Sequence, residues 1–165
     1  MRCAVAEGVA VRAGVQCAFG CASEHDVDEA AVLAVVERLT AAGAAEINLA
    51  DTAGRAQPFQ VRQLVTRASA VVPTKRLSLH LHDAGGMGLA NLVAGYESGV
   101  RRFDTAAGAL GGCPFVKDAA GNLATENAVR VLARMGADTG IAPDILARAA
   151  QRLTALLGHT RHKRL

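Results

Sequence analysis

The sequence has no tryptophan, one tyrosine and four phenylalanines among its 165 residues. So few aromatic side chains argue against a surface that stacks nucleobases, and a formal net charge of +3 gives little electrostatic reason to expect nucleic acid. The longest run without a charged residue, 84–96, has 13 positions, fewer than the roughly 18 that a membrane helix needs. We therefore expect a protein that binds neither nucleic acid nor membrane.

Cysteine is sparse as well, with only Cys3, Cys17, Cys21 and Cys113 in the chain. A disulfide framework is typical of shorter secreted chains, and the early carboxylate of Glu7 does not fit a signal peptide. The C-x3-C pair has no second Cys or His pair at matching spacing, which argues against structural zinc. The expected location is cytoplasmic.

Hydrophobic residues make up 51% of the chain and charged residues 20%, as in a globular domain, and the length suits a single domain over 1–165. Apolar runs of strand type alternate with helical patterns, which indicates an α/β fold with a parallel sheet. The predicted strands are 9–19, 45–50, 77–82 and 100–104, and the predicted helices are 28–42, 58–72, 88–98, 125–135 and 143–157.

Polar side chains stand where the predicted strands end, which is the binding face of parallel α/β folds. Asp51 follows the second strand and Asp104 ends the fourth, while His80, His82 and Asp83 close the third. Two-residue spacing on a strand turns both imidazoles to the same side, and such a pair suits a divalent metal. The alternative, two histidines that are simply hydrogen-bonded at a strand end, stays open for an isolated H-x-H.

Two further features lie in the glycine-rich part of the chain. Cys113 sits in the loop 108–115, where its thiol can exchange protons with a substrate or be buried as a small hydrophobe. Asn122 can hydrogen-bond its own loop while Thr125 caps the next helix. In the functional interpretation, Asn122 offers an amide oxygen to a metal and Glu126 is a supporting carboxylate.

Taken together, these motifs resemble the hydroxymethylglutaryl-CoA lyase family, within the metal-dependent TIM-barrel lyases and synthases. The similarity covers residues 11–141, and we expect it to include the last helix. The Gly-Gly-Cys-Pro loop, whose cysteine is nine residues before Asn122, is its most specific part. The matching stretches are Cys17-Ala18-Phe19-Gly20-Cys21, Glu46-Ile47-Asn48-Leu49-Ala50-Asp51-Thr52, His80-Leu81-His82-Asp83 with Leu89-Ala90-Asn91, Phe103-Asp104 through Gly111-Gly112-Cys113-Pro114-Phe115, and Gly121-Asn122-Leu123-Ala124-Thr125-Glu126.

The resemblance implies a fold and a reaction. The fold would be part of a TIM (β/α)8 barrel, namely its last four βα units plus the C-terminal helices. The reaction would be a retro-Claisen cleavage of a 3-hydroxy-3-methylglutaryl-CoA-type substrate to acetyl-CoA and acetoacetate, as in leucine degradation. It would need a divalent metal, Mg²⁺ or Mn²⁺.

The resemblance also implies residue roles. His80, His82 and Asn122 would ligate the metal, and Cys113 would be the catalytic thiol on the mobile loop that contains Gly111 and Gly112. Asp51 would orient groups around metal and substrate, and either it or His80 would be the base. Glu126 and Asp83 would be supporting residues.

The sequence also departs from the family pattern. Four strands are present where a barrel has eight, and the Arg-Asp pair of the family's first strand has no counterpart, since Arg12 and Asp26 stand in another context. Ala84 replaces the usual Thr after the H-x-H-D motif, and Arg55 stands where a small or apolar residue is expected.

A half barrel would leave sheet edges open, so we expect a homo-oligomer or a partner that supplies the missing N-terminal half. Two alternatives to the leading function remain. One is a lyase for a related branched 3-hydroxyacyl-CoA. The other is a non-catalytic half-barrel remnant that oligomerises.

Overall fold

The computed structural model describes residues 1–21, 27–112 and 120–157. These residues form one four-stranded sheet in the order β1-β2-β3-β4, and each neighbouring pair of strands is parallel. The register brings Ala50, His80 and Asp104 to one level, so the ends of three strands meet side by side. The strands are β1 (Arg12–Val15), β2 (Glu46–Ala50), β3 (Leu77–His80) and β4 (Phe103–Asp104).

Helices connect the successive parallel strands, as parallel pairing requires. Local capping sets where two of them begin: the Asp28 carboxylate accepts the N–H of Ala30, and Pro58 occupies the first helical turn where it costs no hydrogen bond. The helices are α1 (Arg2–Ala6), α2 (Glu29–Ala41), α3 (Pro58–Ser69), α4 (Met87–Glu97), α5 (Thr125–Arg134) and α6 (Pro143–Leu157), with 3-10 turns at Thr74–Arg76, Ala84–Gly86 and Ala107–Ala109.

The two faces of the sheet differ because side chains alternate along each strand. One face carries apolar residues such as Ile47, Leu49, Leu77 and Leu79, which are fully buried in the hydrophobic core. Helix α4 lies so close to this face that Gly95 leaves no room for a side chain beside Leu79. The opposite face is polar and carries Arg12, Glu46, Asn48, Ser78, His80 and Asp104.

The predicted α/β fold with a parallel sheet is confirmed, but three strand predictions are too long. The first strand is Arg12–Val15 rather than 9–19, because Cys17 takes a left-handed backbone (φ 53°) and ends it. The fourth is only Phe103–Asp104 rather than 100–104. The third ends at His80, so His82 lies beyond the strand and pairs instead with Asn122 in an isolated bridge.

The helices differ from the predictions at two places. Helix α1 was not expected from the sequence, and Thr125 does not precede α5 as its cap. Instead Ala124 holds the cap position with an extended backbone. Thr125 begins the helix, and its hydroxyl donates a hydrogen bond to the hydroxyl of Thr105. Within the described ranges, no helix is both long and apolar enough to cross a membrane.

Candidate active site and metal centre

Two imidazole rings converge where β3 ends. The Nε2 atoms of His80 and His82 lie 3.2 Å apart, and their ring centroids are 5.2 Å apart. The Nδ1 atom of His82 lies 2.8 Å from the carbonyl oxygen of Ala120, which can only accept a hydrogen bond. His82 therefore carries its proton on Nδ1 and presents a lone pair on Nε2. The predicted placement of both rings on one side is confirmed.

The surroundings of His80 favour the neutral imidazole that binds a metal. Burial lowers the pKa of His80 below its ordinary value, and the repulsion that a protonated His82 would exert acts in the same direction. Asp104 acts in the opposite direction, and its carboxylate oxygen lies 3.5 Å from Nδ1 of His80. The net direction is downward, so less of the metal's binding energy is spent on displacing a proton.

Asn122 joins this pair through backbone pairing with His82. Its side-chain Nδ2 donates to the carbonyl oxygen of Leu110 at 2.8 Å, while its Oδ1 is buried and accepts no hydrogen bond. A buried amide oxygen without a partner is costly in a folded protein, so it points to a ligand. Gly111 faces the same amide, and a Cβ there would lie 2.8 Å from Nδ2.

These three side chains fit a divalent ion as a partial ligand set. Two ligands at adjacent corners of an octahedron, each about 2.1 Å from the ion, lie roughly 3 Å apart, close to the separation of the two Nε2 atoms. Within residues 1–21, 27–112 and 120–157, no three His, Cys, Asp or Glu side chains are grouped closely enough to hold a metal. The described residues thus offer two nitrogens and one amide oxygen, which water or another chain would have to complete.

Asp51 stands at the end of the neighbouring strand with its side chain buried. Its Oδ1 accepts the backbone N–H groups of Arg55 and Ala56 at 2.7 and 3.0 Å, whereas its Oδ2 is buried with no hydrogen-bond partner. Burial raises the pKa of Asp51, and the two N–H groups and His82 offset part of that rise. A carboxylate with one unpartnered oxygen and a raised pKa is suited to accept a proton.

The predicted supporting residues, Asp83 and Glu126, both accept hydrogen bonds from backbone N–H groups. Asp83 accepts the N–H of Gly88 at 3.0 Å at the start of α4, and its own N–H donates to Gly121. Glu126 accepts the N–H of Gly108 at the base of the glycine-rich loop. Each of these hydrogen bonds connects the first turn of a helix to a neighbouring strand end or loop, so both stabilise the backbone around the site.

Some predicted positions lie at or beyond the limits of the described residues. Gly111 and Gly112 are exposed, and Gly111 takes a left-handed backbone with a φ of 87°. Cys113, the predicted catalytic thiol, lies outside the described residues, and its role stays a prediction. Asp26, for which no role is predicted, lies outside them as well.

Sequence reasoning missed an ion-pair network on the polar face of the sheet. Arg12 in β1 reaches past β2 and β3 to Asp104 in β4, with its Nη2 atom 2.6 Å from both carboxylate oxygens, and its Nε atom lies 2.7 Å from Glu46. The sequence did indicate a polar face of the sheet, because Glu46 and Asn48 alternate with apolar residues in β2, as Ser78 and His80 do in β3. Partners 92 positions apart cannot be assigned by such alternation.

Comparisons with known proteins show which proteins this chain is similar to. The chain is 37% identical over 164 residues to the hydroxymethylglutaryl-CoA lyase of Pseudomonas mevalonii, covering 99% of this chain and 54% of that protein. It is 39% identical over 152 residues to the (R)-citramalyl-CoA lyase of Chloroflexus aurantiacus, covering 92% of this chain and 48% of that protein. The chain therefore spans about half the length of the curated relatives it matches.

The fold matches solved structures over the same extent. An HMG-CoA lyase from Acinetobacter baumannii, in complex with coenzyme A and 3-methylmalate, superposes with a TM-score of 0.91 at 39% identity, covering 96% of this chain and 52% of that one. The four parallel strands and their helices thus correspond to part of a TIM barrel. The model of the HMGL-like family matches residues 4–153. This chain accordingly belongs to the HMGL-like family.

Proposed function

We propose that this chain forms part of a divalent-metal-dependent carbon–carbon lyase that cleaves 3-hydroxy-3-methylglutaryl-CoA or a close analogue to acetyl-CoA and acetoacetate. The observation that carries the proposal is the convergence of two imidazole Nε2 atoms, 3.2 Å apart, beside a residue whose buried amide oxygen has no partner. The relatives that are carbon–carbon lyases support the same reaction class. The cytoplasmic location and a place in leucine degradation stay predictions.

His80, His82 and Asn122 would hold the metal, with Mg²⁺ or Mn²⁺ as the candidates because amide oxygen and imidazole nitrogen suit both. When bound, such an ion polarises the substrate hydroxyl and lowers its pKa. His82 is held for this task by its bond to Ala120, which leaves Nε2 available. Asn122 is held by its bond to Leu110, which leaves Oδ1 available.

Asp51 is the better of the two predicted bases. His80 directs Nε2 towards His82, where a metal would occupy its lone pair, whereas Asp51 keeps one carboxylate oxygen without a hydrogen bond. Asp51 would take the proton of the substrate hydroxyl. The electrons of the breaking carbon–carbon bond then form the enolate of acetyl-CoA, and Cys113 would donate the proton that this enolate requires.

A second candidate substrate class is favoured by the relatives. The (R)-citramalyl-CoA lyase and a 3-hydroxy-3-isohexenylglutaryl-CoA/hydroxymethylglutaryl-CoA lyase of Pseudomonas aeruginosa are 39% and 36% identical to this chain. The same metal-holding residues would serve each of these branched 3-hydroxyacyl thioesters. Relative kcat/KM values on a panel of acyl-CoA substrates separate the two candidates, because substrate shape and not the metal distinguishes them.

The sheet supports a proposal about assembly. Strands β1 and β4 each have one neighbour among the described residues, and an unpaired edge invites another strand. We therefore expect a homo-oligomer or a complex with an N-terminal half barrel that supplies the missing strands. Light scattering at micromolar concentration tests this, and a monomeric mass that is unchanged when the second half is added would contradict it.

The deciding experiment measures acetoacetate release from hydroxymethylglutaryl-CoA, with Mn²⁺ or Mg²⁺ and with EDTA. The Cys113→Ala variant should lose turnover by a factor of at least 100, whereas Cys3→Ala is the matched control because Cys3 is exposed in α1. The assay is run on the chain alone and with a family N-terminal half added in trans. Metal-dependent release that Cys113→Ala abolishes supports the proposal. No release under either condition favours the non-catalytic remnant.

A further inference from the structure

We propose that Asp104 is a positioning residue for His80: it holds the ring through Nδ1 so that Nε2 faces the metal position, and Arg12 anchors it from the far edge of the sheet. The inference rests on the proposed function, because it concerns the metal that His80 and His82 would hold. The role is not implied by the motifs, which identify Asp104 only as a polar residue at a strand end.

The contact follows from the register of the sheet. His80 and Asp104 are direct partners in the pairing of β3 with β4, and both side chains lie on the polar face. The Oδ2 atom of Asp104 is 3.5 Å from Nδ1 of His80, while Nε2 of the same ring is directed to His82. One ring nitrogen therefore faces a carboxylate and the other faces the second ligand.

This arrangement decides which nitrogen of His80 is available. A carboxylate can only accept a hydrogen bond, so Asp104 favours the imidazole that carries its proton on Nδ1 and has a lone pair on Nε2. Histidines that bind metals generally donate their other N–H to such an acceptor, which fixes the ring and raises its basicity as a ligand. His82 achieves the same result with the carbonyl oxygen of Ala120. The two ligands are thus oriented by two different acceptors.

Asp104 is itself held by residues from two other strands. The Nη2 atom of Arg12 in β1 lies 2.6 Å from each of its carboxylate oxygens, and Nδ2 of Asn48 in β2 lies 3.4 Å from Oδ2. Removing these contacts would leave the carboxylate free to turn towards solvent. Glu46 takes another part of the same guanidinium, at Nε, but has no contact with His80. It belongs to the network without touching a ligand and so provides a control.

The test is a Mn²⁺ titration followed by electron paramagnetic resonance of the free ion, on the full chain in its native assembly. Asp104→Ala should weaken Mn²⁺ binding by about 10–100-fold, as loss of such an acceptor typically does. Asp104→Asn keeps an acceptor oxygen in place and should recover most of that affinity. Glu46→Gln removes the charge that pairs with Nε of Arg12 but leaves Asp104 in place, so Mn²⁺ affinity should stay within about twofold of wild type. If Asp104→Ala fails to fold, Asp104→Leu gives the same comparison.

The outcomes separate this inference from the proposed function. If wild type binds no Mn²⁺, both are wrong. If wild type binds Mn²⁺ and His82→Ala does not, but all Asp104 variants bind as wild type does, only the inference is wrong. Equal losses in Asp104→Ala and Glu46→Gln would also overturn it, because they would reveal a structural role of the network. A loss in Asp104→Ala that Asp104→Asn restores supports it.

Discussion

The carboxylate of Glu126 receives the backbone N–H of Gly108, with its two oxygens 3.0 and 3.1 Å from the nitrogen. Glu126 stands in the first turn of α5, and Gly108 takes a left-handed backbone (φ 67°) in the turn that begins the glycine-rich loop. Because Asn122 and its partner Leu110 lie between these two residues in the chain, this bond closes the segment from the turn to the helix.

Replacement of Glu126 should therefore loosen the base of the loop. Glu126→Ala removes the carboxylate that accepts the Gly108 N–H, so we expect exchange of that amide to speed up at least tenfold and the free energy of unfolding to fall by about 1 kcal/mol. Hydrogen exchange followed by NMR measures the first effect. Arg130→Ala, at an exposed position of the same helix, should leave Gly108 exchange unchanged. Unchanged protection in Glu126→Ala would contradict the role.

Replacement of Asn122 should weaken metal binding more than it lowers the stability of the fold. Without metal, Asn122→Ala loses the bond to Leu110 but also removes a buried oxygen that has no partner, so stability should change little. With Mn²⁺ at about 100 times its Kd, wild type should gain about 2.7 kcal/mol, and the variant much less. Thermal melts with and without Mn²⁺ measure this difference. Asn127→Ala, which removes an amide oxygen that accepts a hydrogen bond from Arg130, should behave as wild type, and an equal gain in Asn122→Ala would argue against its ligand role.

The close packing of α4 on strands β3 and β4 requires a glycine at position 95. A Cβ at this position would lie 2.4 Å from Cδ1 of Leu79 and 3.2 Å from a ring carbon of Phe103. Gly95→Ala gains about 1 kcal/mol in helix propensity but overpacks the core at a cost of about 1–3 kcal/mol, so we expect net destabilisation. Denaturant unfolding of wild type and Gly95→Ala measures this loss in the free energy of unfolding. The double variant with Leu79→Val should be more stable than the two single effects predict, and strict additivity would contradict the proposed clash.

Glu46 should make stability depend on pH. Burial acts to raise the pKa of Glu46, but hydrogen bonds from Ser78 and Arg102 and the charge of Arg12 outweigh it, and the net pKa lies below the ordinary value of 4.5. A lowered pKa in the folded state contributes stability above pH 4.5, and this contribution is lost as pH falls through the folded-state pKa.

The measurement compares wild type with Glu46→Gln in denaturant unfolding at several pH values. Wild type should be more stable by about 1 kcal/mol near neutral pH, and the difference should close in acid below pH 4.5. Glu97→Gln is the matched control, because Glu97 is exposed and pairs with Arg62 at the longer distance of 3.7 Å. A difference between wild type and Glu46→Gln that is constant with pH would show that the carboxylate's charge is not what stabilises the network.

Much of this protein is determined by local sequence. Alternating apolar residues in 46–50 and 77–80 produce buried strands, and the H-x-H spacing places two rings on one side because side chains alternate along an extended chain. Pro58 and the Asp28 cap set helix starts through backbone chemistry within one turn. These are short-range effects, so a single sequence is enough to predict them, and the four βα units follow.

Tertiary structure alone decided which distant residues meet. Asn122 reaches His82 by a bridge between loops 40 positions apart, Arg12 reaches Asp104 across the sheet, and β4 has two residues because only Phe103 and Asp104 pair with β3. Periodicity tells which face a side chain occupies, but not which strand lies beside it or where a loop returns. Those are settled by register and by the packing of helices on the sheet, which depend on the whole chain at once.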